Sequence, residues 1–179
     1  MRQKEPSWSC VKAKLASLDR PGLISLIQAL YSASKDNQAF LHARCGVGDD
    51  VLKPYKATIN RWLSPDVFKN QDVSVAKAKQ AISAYKKAIG ASHGLAELMV
   101  FFCERAAVFS DEVGLQDEAY FDALLRMFAQ ALRAIATLSQ EQRCALWNRL
   151  DAVRQVSQNF GYGVAEEMDV LLAEQGLDS

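Results

Sequence analysis

The stretch that decides the fold is residues 92–114, SHGLAELMVFFCERAAVFSDEVG, which is apolar around almost its whole circumference when it is wound as a helix. Such a helix is typical of an element that is buried on all sides. Ser92 opens the predicted helix, which runs to about Val113, and Gly114 is suited to its C-cap. The rest of the chain therefore has to supply the helices that surround it.

The flanking sequence repeats this 3–4 spacing of apolar residues and almost lacks the period-2 alternation of strands. The predicted helices are Ser9–Leu18, one opened by Asp19 with Pro21 in its first turn, Gln38–Arg44, Val51–Leu63, and further helices that start near residues 74, 92, 117, 139 and 164. Short connections favour antiparallel neighbours. The sequence predicts one all-α domain over residues 1–179, with about seven to nine helices packed as antiparallel helix hairpins in a bundle or a short TPR- or HEAT-like right-handed stack.

Local signals place several helix ends. Asp19 and Asp117 are predicted N-caps, and Ser139 with Gln142 fits a capping box. A polar break is expected at 35–37, Asp49 and Asp50 are suited to capping the helix at Val51–Leu63, and the helix after Ser139 is expected to reach Phe160. In the helix after Asp19, one face carries Leu23, Leu26, Ile27, Leu30 and Tyr31.

Charge is segregated along the chain although the net charge is zero. Residues 1–91 hold 15 basic and 7 acidic side chains, whereas residues 92–179 hold 6 and 14. Such asymmetry indicates a charged partner, or two surfaces that meet each other. The basic side chains that we predict to bind a partner are Lys53, Lys56, Arg61, Lys77, Lys79, Lys86 and Lys87.

The central helix carries the best candidates for buried polar chemistry. Glu97 and Glu104 are seven residues apart and fall on one stripe, with His93 one turn before Glu97. We expect both carboxylates to pair with arginines such as Arg126 or Arg133 or to line a narrow hydrated stripe, and Glu104 to be more than half buried and bonded to an arginine or a backbone donor. A metal-binding or enzymatic bundle centred on these three residues is the alternative, but the chain has only two histidines and no Glu-x-x-His pattern.

Other patterns point away from metal, nucleotide and redox chemistry, and no cofactor is predicted. The spacing of Cys10, Cys45, Cys103 and Cys144 matches no zinc or redox motif, so we expect a structural role, and two of them fall on predicted apolar helix faces as packing groups. The acidic cluster lacks the alternation of a calcium loop and is better explained by helix capping; its members are Asp111, Glu112, Asp117, Glu118 and Asp122. Asp49 and Asp50 follow the glycines at 46 and 48, where they would repel a phosphate.

A resemblance comes from the central third of the chain. The segments Ala76–Ile82, Tyr85–Ala88, Leu95–Met99, Phe109–Gly114 and Asp117–Phe121 resemble an uncharacterised all-helical bacterial family, a domain of unknown function. The resemblance implies a helical fold, and it implies no activity and no functional residues.

The sequence favours a non-enzymatic protein-interaction module that binds an acidic protein surface, which includes the acidic half of another copy in a homo-oligomer. Nucleic-acid binding by the same lysines is the alternative, although Tyr55, Trp62 and Tyr85 fall on the predicted core stripe, where they cannot stack on bases. No secretory signal or transmembrane stretch is recognised, so we expect no membrane association and a cytoplasmic location.

Overall fold

A computed structural model describes residues 7–47, 50–66, 69 and 71–176. These residues contain nine α-helices and no strand, which confirms the prediction of an all-α fold with seven to nine helices. The helices are α1 (Trp8–Leu15), α2 (Arg20–Ala33), α3 (Lys35–Cys45), α4 (Lys53–Leu63), α5 (Val75–Ala88), α6 (Ser92–Val113), α7 (Glu118–Ala136), α8 (Gln140–Val156) and α9 (Val164–Gly176). Gly48 and Asp49 lie outside the described residues.

Most of the predicted helix caps are present. The Asp19 side chain accepts a hydrogen bond from the Gly22 amide at 2.8 Å, and Asp117 accepts one from the Tyr120 amide at 2.9 Å. Gly114 ends α6 with a φ of +62°, a conformation that costs glycine little. The predicted capping box of α8 is wrong, because Ser139 occupies the N-cap position without a side-chain capping bond.

Four predicted boundaries are also wrong. The helix expected from Val51 begins at Lys53, with Leu52 at the N-cap and no capping side chain, and the first helix ends at Leu15 and not at Leu18. At the other two boundaries, a serine hydroxyl competes with the helical pattern. The break between α2 and α3 lies at Ser34, whose hydroxyl accepts a hydrogen bond from the Asn37 amide, so α3 already begins at Lys35. Helix α8 ends at Val156 and is followed by a 3-10 turn at Ser157–Asn159. There the Ser157 hydroxyl donates to the Val153 carbonyl at 2.8 Å.

The helices are arranged as stacked hairpins around α6. Helices α4, α6 and α8 form one row, and α6 also packs on α5 and α7, while α7 packs on α9. Substantial contacts join helices that are one or two positions apart in the chain, as in stacked helical hairpins. The largest fully buried side chains come chiefly from α4, α6 and α7, and they include Phe102, Phe121 and Phe128.

The N-terminal end of the stack lacks a buried core. Within α1, α2 and α3 the structure buries none of the residues, although α2 has the apolar face that its spacing predicts. Ile27 and Leu30 on this face remain 48% and 52% exposed. Helix α2 packs mainly on α3, which in turn packs on α5. Across the described ranges, no helix combines the length and the apolar character that crossing a bilayer requires.

Two isoleucines at helical positions test this difference between the ends of the stack. Ile135 in α7 is 1% exposed and Ile27 in α2 is 48% exposed. Ile135→Ala is expected to lower the free energy of unfolding by about 2–4 kcal/mol, because it removes packed methyl groups and leaves a cavity. In the monomeric chain, Ile27→Ala should lower the free energy of unfolding by less than about 0.5 kcal/mol. Urea titration of both variants at low protein concentration checks this, and equal losses would show that α2 is packed like α7.

Candidate functional site: the ion network and the lysine surface

Four charged side chains from three helices form a continuous ion network in the row α4, α6 and α8. The Lys56 ammonium lies 2.6 Å from Glu97 Oε1, and Arg149 Nη1 lies 2.6 Å from Glu97 Oε2. Arg149 also forms a bidentate ion pair with Glu104, with Nε 2.7 Å from Oε1 and Nη2 2.9 Å from Oε2. The network therefore connects the row through one bidentate arginine and one lysine, a geometry in which charge-assisted bonds are strong.

The ion network is partly buried and electrically balanced. The Glu97 side chain is 12% exposed and that of Glu104 is 28% exposed, so the prediction that Glu104 is more than half buried and bonded to an arginine is confirmed. Burial acts to raise the pKa of Glu97, but hydrogen bonds from Arg149 and Lys56 outweigh it and hold that pKa below its ordinary value. Bonds to Glu104, and then to Glu97, raise the pKa of the Arg149 guanidinium although burial opposes this rise.

The predicted arginine partners are wrong, since neither Arg126 nor Arg133 belongs to the network. Arg126 instead pairs with Asp122 one turn earlier on α7, at 2.8 Å. Arg149 is 45 residues from Glu104 in the chain, and only the packing of α8 on α6 brings the two together. No local spacing in the sequence could have distinguished Arg149 from the other arginines of the acidic half.

His93 does not join the two glutamates. It is exposed in the first turn of α6, whereas Glu97 and Glu104 point toward α4 and α8. Among the described residues, no three His, Cys, Asp or Glu side chains are grouped so that they could hold a metal ion. The two carboxylates of the network are already bonded to cations, and this arrangement favours a structural role for them.

The basic residues of α4 and α5 occupy more than one face. Lys56 is bound within the ion network, while Arg61 Cζ lies 4.5 Å and Lys77 Nζ 3.7 Å from the centroid of the Trp62 ring. Lys79 and Lys86 are seven residues apart and lie along one side of α5, away from Lys77. We call Lys53, Lys77, Lys79, Lys86 and Lys87, with Arg61, the lysine surface, which covers two sides of the α4–α5 hairpin, with Lys79 and Lys86 on one side and Arg61 and Lys77 beside Trp62 on the other.

The aromatic rings near the lysine surface are either buried in the core or contacted by cations of the same chain. Tyr55 and Tyr85 are 5% and 3% exposed and pack edge to face, with their ring centroids 5.3 Å apart. Burial raises the pKa of both phenols. Trp62 is contacted by the two cations described above. This surface therefore offers charge without free aromatic rings, as the sequence predicts for the two tyrosines.

Of the four cysteines, only Cys103 is a packing group. It is fully buried in α6, and burial raises the pKa of its thiol well above the ordinary value. Cys10, Cys45 and Cys144 are exposed, so the prediction that two cysteines lie on packed apolar faces is wrong for one of the two. Their positions on polar or uncovered helix surfaces explain the difference, because no helix packs over them closely enough to exclude water.

Within the acidic cluster, the structure supports capping at one residue and ion pairing at another. Asp117 caps α7, and Asp122 binds Arg126. Asp111, Glu112 and Glu118 are exposed at the end of α6 and the start of α7. Glu118 lies in the first turn of α7, where a negative charge is favourable.

Comparisons of the chain with family models, with curated proteins and with solved structures give no match. The resemblance of residues 76–121 to an uncharacterised helical family therefore stays an expectation. Arguments about function rest on the charges and surfaces of this chain.

Arg149 is the residue on which the ion network depends. Arg149→Met is expected to lower the free energy of unfolding by about 2–4 kcal/mol, because it leaves two partly buried carboxylates without their shared cation. The control is Arg126→Met, whose exposed pair with Asp122 should contribute less than about 0.5 kcal/mol. Urea titrations measure both, and similar small losses would show that the network contributes little to stability.

The lowered pKa of Glu97 predicts how stability depends on pH. Since the folded state holds this pKa below its ordinary value of 4.5, the stabilisation is complete about one pH unit above 4.5 and is lost as the pH falls from there through the folded value. The stability difference between the unmodified chain and Glu97→Gln should thus be constant from pH 7 to about 5.5 and shrink below pH 4.5. Urea titrations at several pH values test this, and a difference that does not shrink below pH 4.5 would contradict it. In an Arg149→Met background the dependence should weaken.

Proposed function

We propose that this chain is a non-enzymatic protein-interaction module that binds an acidic protein surface through its lysine surface. The observation that carries the proposal is that the two oppositely charged halves hardly neutralise each other. In the described residues, Lys56–Glu97 is the one ion pair between a basic side chain before residue 92 and an acidic one after it. The excess positive charge of α4 and α5 is therefore available to a partner.

The lysine surface is suited to guiding and orienting a partner. Lys53, Lys86 and Lys87 are exposed, and no described carboxylate lies within ion-pair distance of them. Exposed charges of one sign speed encounter with an oppositely charged surface and set its orientation more than they supply affinity. Arg61 and Lys77 are partly ordered over Trp62, which lowers the entropy lost when they bind a partner.

The acidic half of another copy has the chemistry of such a partner. Helix α9 carries Glu166, Glu167 and Glu174 on its exposed side, and its described residues include no basic side chain. These carboxylates and the lysine surface could meet between two molecules. Nucleic acid fits less well, because the aromatic rings beside the lysines are buried or covered by cations.

Charge reversal on α5 tests the proposal. We expect a fluorescent poly-L-glutamate probe to bind the chain, with an affinity that falls as salt is raised. Lys79→Glu with Lys86→Glu should weaken binding at least about tenfold, because like charges then face the probe. The matched control is Arg133→Glu with Arg143→Glu, which changes the net charge equally but lies on α7 and α8. This control should weaken binding of the probe much less. Fluorescence anisotropy measures each affinity.

A labelled single-stranded DNA of ~20 nucleotides distinguishes the alternative, because counterion release dominates nucleic-acid binding. Tighter binding of the DNA than of the poly-L-glutamate would overturn the proposal in favour of nucleic acid. Absence of poly-L-glutamate binding at low salt, or equal losses in the two double variants, would also overturn it.

A further inference from the structure

The N-terminal end of the helical stack lacks the polar capping surface that stacked helices require. Terminal helices of such stacks need a polar outer face, because no neighbour covers them. Helix α2 has the reverse arrangement, since Ile24 and Leu30 are 56% and 52% exposed. An apolar face at the end of a stack is stabilised when another helix packs on it, by the same physics that joins the internal hairpins.

The large apolar residues of α2, most of them exposed, form one continuous strip. At 100° per residue, six large side chains fall within a sector of about 160°. We call this strip the α2 apolar face; it consists of Leu23, Ile24, Leu26, Ile27, Leu30 and Tyr31. Arg20 in the first turn is the one charged residue of α2, and the opposite side of the helix carries Ser25, Gln28 and Ser32.

The neighbouring helices leave this face open. At one edge, α3 is held to α2 by polar contacts, in which Asn37 Nδ2 donates to the Leu30 carbonyl at 2.7 Å and Tyr31 bonds to His42 at 2.9 Å. At the other edge, α1 and α2 border an open, mainly apolar groove of about 480 Å³, whose lining includes Leu18 and Leu26. The strip is therefore held in position without being covered.

We propose that the α2 apolar face binds the same face of a second copy of this chain in a two-fold symmetric dimer. A symmetric interface brings each surface against itself, so it has to be self-complementary. A strip of aliphatic side chains without charge meets this requirement, whereas the basic and acidic surfaces elsewhere would repel their own copies. An acidic partner or an anionic lipid surface would be attracted only weakly, because α2 carries one cation, Arg20, and the lining of the adjoining groove carries one more, Lys14.

The exposed apolar area is sufficient for such an interface. Four residues of the α2 apolar face expose 40–56% of their surface, and four residues of α1, α3 and the connection after α1 expose 42–69%, namely Trp8, Val11, Leu18 and Phe40. Together these eight side chains present on the order of 700 Å² to solvent, close to the ~800 Å² that each partner contributes to a standard interface. Val11, Leu18 and Leu26 line one groove, so the patch is contiguous from α1 to α2, and monomeric proteins rarely leave contiguous apolar patches of more than a few hundred Å² exposed.

This dimer goes beyond the proposed function and uses different residues. The lysine surface lies on α4 and α5, away from the α2 apolar face, so each dimer would present two copies of it. A partner with two acidic sites would then bind with greater avidity than it does to one chain.

Sedimentation equilibrium of the full chain over a range of concentrations tests the proposal. We expect a dimer of the 19.8 kDa chain whose dissociation constant changes little between low and high salt, because the contact is apolar. Ile27→Glu should weaken it at least about tenfold, since two copies would bury facing charges. Ser25→Glu is the matched control: it adds the same charge to the opposite side of α2 and should leave the dimer intact. Circular dichroism checks that both variants are folded.

Disulfide cross-linking gives an independent readout of the geometry. In a background with Cys10, Cys45 and Cys144 changed to Ser, Ile27→Cys should form a covalent dimer on oxidation, and Ser25→Cys should form much less. A chain that stays monomeric at tens of micromolar would overturn the proposal and leave poly-L-glutamate binding untouched. A dimer that dissociates in salt and tolerates Ile27→Glu would overturn it in favour of contact between the basic and acidic halves.

Discussion

The ion network is the constraint on which the rest of the fold depends. Helix α6 lies at the centre of the stack, yet it carries Glu97 and Glu104 on the side that packs toward α4 and α8. A partly buried carboxylate is costly unless cations and hydrogen bonds compensate it. Lys56 and Arg149 do so from the two neighbouring helices, and this requirement fixes how α4 and α8 are placed along α6. Apolar packing alone would fix that placement less specifically, since aliphatic surfaces tolerate many alignments.

The same network explains why the charges of the two halves are almost independent. Lys56 is the basic residue of α4 that reaches the acidic half, and it does so inside the network. The other basic residues of the α4–α5 hairpin contact the hairpin itself or face solvent, as Arg61 and Lys77 do beside Trp62. The charge separation seen in the sequence therefore persists on the surface, which is the physical basis for proposing an acidic partner.

Stability is distributed unequally along the stack. The helices from α4 onward bury aromatic and aliphatic side chains between the row α4, α6 and α8 and the helices α5, α7 and α9 that pack against it. By contrast, α1, α2 and α3 bury none of their residues. A helical end without a core of its own gains most when a second surface covers it, because the apolar area it already exposes is then removed from water. Association through this end and binding through the lysines use separate parts of one molecule.

The sequence by itself determined the helical class, the central helix with its Gly114 end, the caps at Asp19 and Asp117, and the charge separation, because these depend on periodicity and on interactions within a few residues. It also indicated that Glu104 needs an arginine. Only the tertiary structure decided that this arginine is Arg149, since the choice among the arginines depends on which helices meet across 45 residues of chain. It likewise decided that the apolar face of α2 stays uncovered, because periodicity shows that a face is apolar and cannot show whether another helix packs on it.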